Sequence, residues 1–124
     1  MKTVLVVDDE WAIAEVLESL LGDEGYRVIV ANNGRQALDR LAEWPPDLIM
    51  VDFMMPIMDG PAMLGALKSS PDTAQIPVVL MSSLPEETVT ERCTGYAVFL
   101  RKPFRIASVL QAIAKATGET LPEA

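Results

Sequence analysis

The sequence predicts an α/β fold, a five-stranded parallel sheet in the order 2-1-3-4-5, doubly wound so that helices cover both faces. Three observations predict it. Short apolar runs alternate with stretches of helical periodicity, and strands buried on both faces read as continuous hydrophobic runs rather than as alternating ones. The connections are long enough for a crossover helix and short enough to be right-handed. The side chains capable of chemistry, Asp8, Asp9, Asp52, Ser82 and Lys102, fall at the carboxyl ends of the runs, beyond which ligands gather in open α/β sheets.

Thr3 to Val7 is the first β-branched run, followed by the acidic turn Asp8-Asp9-Glu10 and by Ile13, Val16, Leu17, Leu20 and Leu21 at helical spacing. Gly22 and Gly25 close that helix, and Tyr26 to Ala31 forms the second strand. Asn33-Gly34 turns the chain into a short helix carrying Ala37, Leu38 and Leu41, which ends before Pro45-Pro46. The third strand, Leu48 to Val51, delivers Asp52 at its end. Asp59 is the expected N-cap of the next helix, with Pro61 in its first turn, Met63, Leu64 and Leu67 on its apolar face, and Ser69-Ser-Pro71 as its stop.

Ile76 to Met81 is the fourth strand and ends on Ser82-Ser83. Pro85 to Thr94 is expected to be a helix although Thr88, Val89 and Thr90 are poor helix formers. After Gly95, Tyr96 to Arg101 makes the fifth strand and runs into Lys102-Pro103-Phe104, and Ile106, Val109, Leu110 and Ile113 mark a last helix that fades at Gly118. One domain over 1–118 with a polar tail at 119–124 is expected, since 124 residues, half of them hydrophobic, build a single core of ordinary size.

Composition removes whole classes of function. With no histidine, the chain offers neither a Ser-His-Asp nor a Cys-His arrangement nor any histidine metal motif. Cys93 is the sole cysteine, which leaves no internal disulfide or thiolate cluster and suits a reducing compartment. A net charge of -8 without a basic run lacks the footprint of a nucleic-acid binder and favours positively charged partners or metal ions. The first apolar run is too short for a signal peptide, and no run reaches membrane-spanning length, so a cytoplasmic protein is expected.

In the order 2-1-3-4-5 the first and third strands are neighbours, which brings Asp8 and Asp9 beside Asp52. Singly, each polar terminus has a plain role: Asp8 or Asp9 as a helix cap, Ser82 in a turn, Lys102 as a solvated strand end. Those roles leave their convergence unexplained. Crowded carboxylates raise one another's pKa unless a cation neutralises them, and oxygen donors without imidazole or thiolate suit Mg²⁺, which commonly binds carboxylates together with a phosphate. Lys102 adds a point charge and Ser82 a hydroxyl for phosphoryl oxygens. A carboxylate can itself be the nucleophile, giving an aspartyl phosphate.

Val-Val-Asp8-Asp9-Glu10, Val-Asp52 followed by Met55-Pro56 and Met58-Asp59-Gly60, Leu-Met-Ser82 and Lys102-Pro103-Phe104 together resemble the receiver domains of bacterial two-component response regulators, with chemotaxis-regulator-like, stand-alone receivers the nearest in form. The resemblance covers almost the whole chain and implies a flavodoxin-like fold. It implies that Asp52 is the phosphoacceptor, that Asp9 and Asp52 bind Mg²⁺ with the backbone carbonyl of Met54, and that Asp8 assists through water. It further implies that Ser82 and Lys102 engage the phosphoryl group, that Phe99 is the switch aromatic, and that the Lys102-Pro103 bond is cis. The donor would be a sensor histidine kinase or a histidine phosphotransfer protein, the output a protein target, and one phosphorylated form a homodimer. No direct nucleic-acid or membrane binding is implied.

Three features depart from the family's usual pattern. The span from Ser82 to Lys102 is short, which puts the usual partner face in question. Met54 and Leu84 stand where the family often has polar residues that influence hydrolysis, so slow loss of the phosphoryl group is expected. Trp11 opens the first helix, where it suits a helix surface, a pocket rim or a docking site equally. Two other readings compete. An aspartate-nucleophile phosphohydrolase would need a second Asp at position 54, which is Met, and a phosphorylation-independent binding module would have no use for the full acidic set. A nucleotide or flavin site is disfavoured because neither a Gly-x-Gly-x-x-Gly pattern nor a P-loop occurs.

Overall fold

The computed structural model describes residues 2–118; the tail expected at 119–124 lies outside the described residues. The strands β1 (Thr3–Val7), β2 (Arg27–Ala31), β3 (Leu48–Asp52), β4 (Val78–Ser82) and β5 (Val98–Arg101) alternate with the helices α1 (Trp11–Asp23), α2 (Gly34–Glu43), α3 (Gly60–Ser69), α4 (Glu86–Thr90) and α5 (Ile106–Thr117). The sheet order is β2-β1-β3-β4-β5 and each pairing is parallel, as the sequence predicts.

Successive strand residues point to opposite faces, and the core splits accordingly. Leu5, Val7, Ile49, Val51, Val78 and Leu80 face a cluster with Ala37 and Leu41 of α2 and Met63, Leu64 and Leu67 of α3. Val4, Val6, Leu48, Met50, Val79 and Met81 face the other cluster, with Leu17 and Leu21 of α1 and Val109 and Ile113 of α5. β3 and β4 are buried at every residue, which is why their sequences show no alternation.

The register aligns the strand ends. Val7 pairs with Ala31 on one side and Val51 on the other, Asp52 with Met81, and Ser82 with Arg101. The ladder continues past the strands through Phe53 N–H to Met81 O at 2.8 Å and Lys102 N–H to Ser82 O at 2.8 Å. Asp8, Asp52, Ser82 and Lys102 therefore share one edge.

Several boundaries differ from those expected, each for a local reason. Tyr26 precedes β2 because its N–H closes α1 by donating to Leu21 O at 3.0 Å. Ile76 and Pro77 precede β4, since Ile76 N–H is used in a turn to Thr73 O and proline has no N–H for a ladder. Tyr96 precedes β5, whose pairing begins with Ala97 N–H to Val78 O. Asp52 ends β3 from within rather than following it.

Val16, expected on the inner face of α1, is 57% exposed, and Ala14 is buried in its place. Neither Asp8 nor Asp9 caps α1. Glu10 holds that position without a side-chain cap bond. Asn33 caps α2 by accepting from Gln36 N–H, and Asp59 caps α3 by accepting from Ala62 N–H at 3.0 Å, with Pro61 in the first turn as expected. The helix expected over 85–94 shortens to Glu86–Thr90; two acids and two threonines leave Val89 as its one buried residue.

The loop from β3 to α3 passes unusually close to its neighbours. A Cβ at Gly60 would stand 2.7 Å from Asp52 O and 2.9 Å from Phe53 Cα, and a Cβ at Gly34 would stand 2.7 Å from Met58 Cγ. Ile57 in the same loop has φ +67°, a left-handed conformation that costs a branched residue energy. The Lys102-Pro103 peptide is cis, as expected. Among the described residues no helix is long and apolar enough to cross a membrane.

Candidate functional site: an acidic cluster around a buried lysine

Lys102 enters the sheet edge from the end of β5, only 9% exposed. Its ammonium donates to Asp8 Oδ2 at 2.8 Å and Glu10 Oε1 at 3.1 Å, and lies 3.2 Å from Asp52 Oδ1. Asp8 is fully buried and Asp52 is 6% exposed. Buried charges persist only when paired, so one ammonium holds three acids from the ends of β1 and β3 together. Their carboxylate oxygens lie within 4.8 Å of one another.

Burial is the main force that raises the Asp52 pKa, to about 6, with the Asp8 charge adding to it and Lys102 opposing. Burial likewise raises Asp8, against the hydrogen bond from Lys102. For Lys102 burial acts downward, but the hydrogen bond to Asp8 and the charges of Asp52 and Asp8 together hold its pKa above the usual lysine value. The site carries more negative charge than its one lysine neutralises.

Ser82, at the end of β4, is buried, and its Oγ accepts from Leu84 N–H at 3.0 Å, which fixes the oxygen and leaves its proton to donate. Asp9, Glu10, Asp52, Met54, Ser82, Ser83 and Lys102 enclose a cavity of about 230 Å³. Asp9 is exposed at its wall and stands outside the Asp8, Glu10 and Asp52 cluster. Met54 is exposed beside it. Phe99 is half-buried further along β5, edge-on to Tyr96 with ring centroids 6.4 Å apart, and Tyr96 O–H donates to Glu86 Oε2 of α4 at 2.9 Å. Trp11 lies apart, 74% exposed on the rim of a cavity between α1 and α2 that also holds Arg40 and Gln36.

Two side chains of this region escape sequence reasoning. Glu10 was visible as the last of three consecutive acids, but its reach to Lys102 depends on the helix starting at Trp11. Arg92, beyond α4, lies 3.7 Å from Asp59 and over the Phe53 ring, a position no local pattern signals.

The donor set fits a hard divalent cation: carboxylates only, crowded, and short of positive charge. Asp8, Glu10 and Asp52 could hold one.

The response regulator receiver domain family matches residues 4–114. The chain is 34% identical to "Response regulator MprA" of Mycolicibacterium vanbaalenii over 97% of its own length and 52% of that protein. It is 37% identical to "Probable transcriptional regulator ycf27" of Porphyra purpurea over 92% of the chain and 49% of the relative. The chain thus spans about half the length of the curated relatives it matches. Among solved structures, the signal receiver domain of a signal transduction histidine kinase from Syntrophus aciditrophicus superposes with a TM-score of 0.87 at 31% identity, covering 95% of this chain and 91% of that one. The chemotaxis response regulator CheY4 of Vibrio cholerae gives 0.86 at 29% identity, over 94% and 98%.

Proposed function

The chain belongs to the response regulator receiver domain family, and from that premise we propose that residues 1–118 form one receiver domain in which Asp52 accepts a phosphoryl group. The donor is a phosphohistidine of a sensor histidine kinase or phosphotransfer protein, as suits a chain that has no histidine of its own. The observation that carries this reading is the convergence of Asp52, Ser82 and Lys102 on one small cavity walled by further acids.

The ion that fits is Mg²⁺; Asp9, Asp52 and the Met54 carbonyl would hold it, with Asp8 assisting through water and Glu10 as an additional carboxylate. It would supply the positive charge that the acids lack, and so lower the Asp52 pKa and offset charge on the phosphoryl oxygens. An Asp52 oxygen attacks phosphorus as the bond from phosphorus to the donor's imidazole nitrogen breaks, the electron pair leaving with the imidazole. Ser82 donates its free proton to a phosphoryl oxygen, and Lys102, whose ammonium already lies 3.2 Å from Asp52 Oδ1, pairs with another. A displacement of Ser82 reaches Leu84, which packs against the same core cluster as Phe99, and Phe99 leads through Tyr96 and Glu86 to α4, so the partner surface changes along this route. We place the protein in the cytoplasm, acting as a signalling switch on a protein target, with a phosphorylation-dependent homodimer among its forms.

The test is to incubate the protein with Mg²⁺ and a small acyl phosphate, trap the adduct by reduction, and map it by mass spectrometry. Reduction expels the phosphate and leaves the acyl carbon as an alcohol, so this conversion at Asp52 alone is expected, and its appearance at any other residue, or at none, refutes the reading. Loss of the group is expected to be slow, because Met54 and Leu84 cannot orient a water by hydrogen bonding. The half-life should be minutes or longer and should shorten in Met54→Gln. Decay within seconds in the parent protein would contradict that expectation.

A further inference from the structure

Arg92 borders a second cavity, of about 270 Å³, with Asp9, Phe53, Met54, Met55 and Asp59. Asp9 and Met54 also line the cavity of Asp52, Ser82 and Lys102, so the two spaces share a wall. Arg92 is loosely held there. Its Nη2 is 3.7 Å from Asp59 Oδ2, longer than a charge-assisted hydrogen bond, and its side chain is 63% exposed. Asp59 is meanwhile engaged through Oδ1 in capping α3, and it keeps that cap whether or not Arg92 stays. The guanidinium lies 5.5 Å from the centroid of the ring of Phe53, the residue after Asp52, and that ring provides an apolar platform on which it can turn.

A phosphodonor carries negative charge toward an acid-rich cavity in a chain of net charge -8. Lys102, the cation inside, is already shared among three carboxylates. Beyond any metal ion inside, approach therefore favours a further cation at the mouth, and a planar fork that is weakly paired and mostly in water is the chemistry that recognises phosphate oxygens.

We propose that Arg92 binds the incoming phosphodonor, exchanging its contact with Asp59 for the oxygens of the donor's phosphoryl group and holding that group at the entrance beside Asp9 and Met54. The inference rests on the reading of Asp52 as acceptor. As the bond from an Asp52 oxygen to phosphorus forms, the bond from phosphorus to the donor's carboxylate oxygen, or to its imidazole nitrogen, breaks and the electron pair leaves with the donor. Arg92 takes no proton and makes no bond in this step. Its part is binding and orientation.

Arg92→Gln and Arg92→Lys, each with all 124 residues, are to be compared with the parent protein in Mg²⁺, using acetyl phosphate and a phosphohistidine-bearing phosphotransfer domain as donors. Arg92→Gln should lower the second-order rate of phosphoryl uptake about tenfold, the worth of one lost charge-assisted bond, and Arg92→Lys should restore part of it. Mg²⁺ affinity of the unphosphorylated protein, measured calorimetrically, should hold or rise, because a cation near Asp9 has gone; a merely structural arginine would lower both. A loss with both donors assigns recognition to the phosphoryl group itself, and a loss with one donor assigns it to that source. Unchanged uptake in Arg92→Gln, or a parallel fall in Mg²⁺ affinity, overturns the proposal while leaving Asp52 as acceptor. Failure of the parent protein to take up phosphoryl from either donor removes both.

Discussion

Asp52→Asn should abolish formation of the acyl phosphate and, in the absence of metal, make the protein more stable. The first effect is complete, since an amide nitrogen and carbonyl cannot replace the attacking carboxylate oxygen. The second follows from the electrostatics. The Asp52 pKa in the folded protein is about 6, against 3.8 for the ordinary side chain, so the folded state binds the proton more tightly than the unfolded one. Between those values the native chain carries more protons, and stability falls as pH rises through that window. Above it the ionised acid costs roughly 2 to 3 kcal/mol, from about 1.4 kcal/mol per pKa unit. Asparagine keeps the shape, and Lys102 keeps Asp8 and Glu10 as partners. Urea unfolding in chelator at pH 7.5 should therefore show a gain of about 1 to 3 kcal/mol, and the parent's loss of stability between pH 4 and 7 should be visibly reduced in the variant. A variant less stable than the parent at pH 7.5 would mean that the pairing of Asp52 with Lys102 outweighs its burial.

Gly60→Ala should cost about 3 kcal/mol, in the upper part of the usual range for overpacking. The new methyl would meet Asp52 O at 2.7 Å and Phe53 Cα at 2.9 Å, backbone atoms of the acceptor and of the residue that follows it, so no side chain can turn away to make room. Gly65 in the same helix is the control. Nothing lies within 4 Å of its Cβ position, and alanine there should raise stability by about 0.5 to 1 kcal/mol through helix propensity. Opposite shifts of the denaturation midpoint for the two substitutions are the expected result. A neutral Gly60→Ala would show that the turn from β3 into α3 yields more easily than its contacts indicate.

Much of this was readable from the chain because buried parallel strands leave a strong mark: β3 and β4 are apolar throughout, and the residues that break those runs, Asp52 and Ser82, are the ones the sheet delivers to its edge. Lys102 was located instead by the Lys102-Pro103-Phe104 run that follows the half-buried β5. Legibility failed where a side chain's partner is remote or its face ambiguous. A period of 3.6 placed Val16 inward, whereas the helix buries Ala14 and turns Val16 to water, since one methyl gives too weak a signal to fix the phase. Glu10 became part of the site through Lys102, 92 residues away, and Arg92 through Phe53 and Asp59. Strand starts were misjudged at Tyr26, Ile76 and Tyr96, because aromatic and branched residues also fill the turns that lead into strands.

The brevity of α4 bears on how an effector can grip the molecule. Five helical residues rise only about 7.5 Å, less than a turn and a half, so a stripe of side chains at i, i+4 and i+7 cannot be displayed there. An effector that reads a helical ridge would find one on α5, which runs for 12 residues and packs on the opposite face of the sheet from Val89 of α4. At α4 it would meet peptide groups and the acids Glu86 and Glu87 at the helix start, a surface better matched to a basic loop than to an apolar groove.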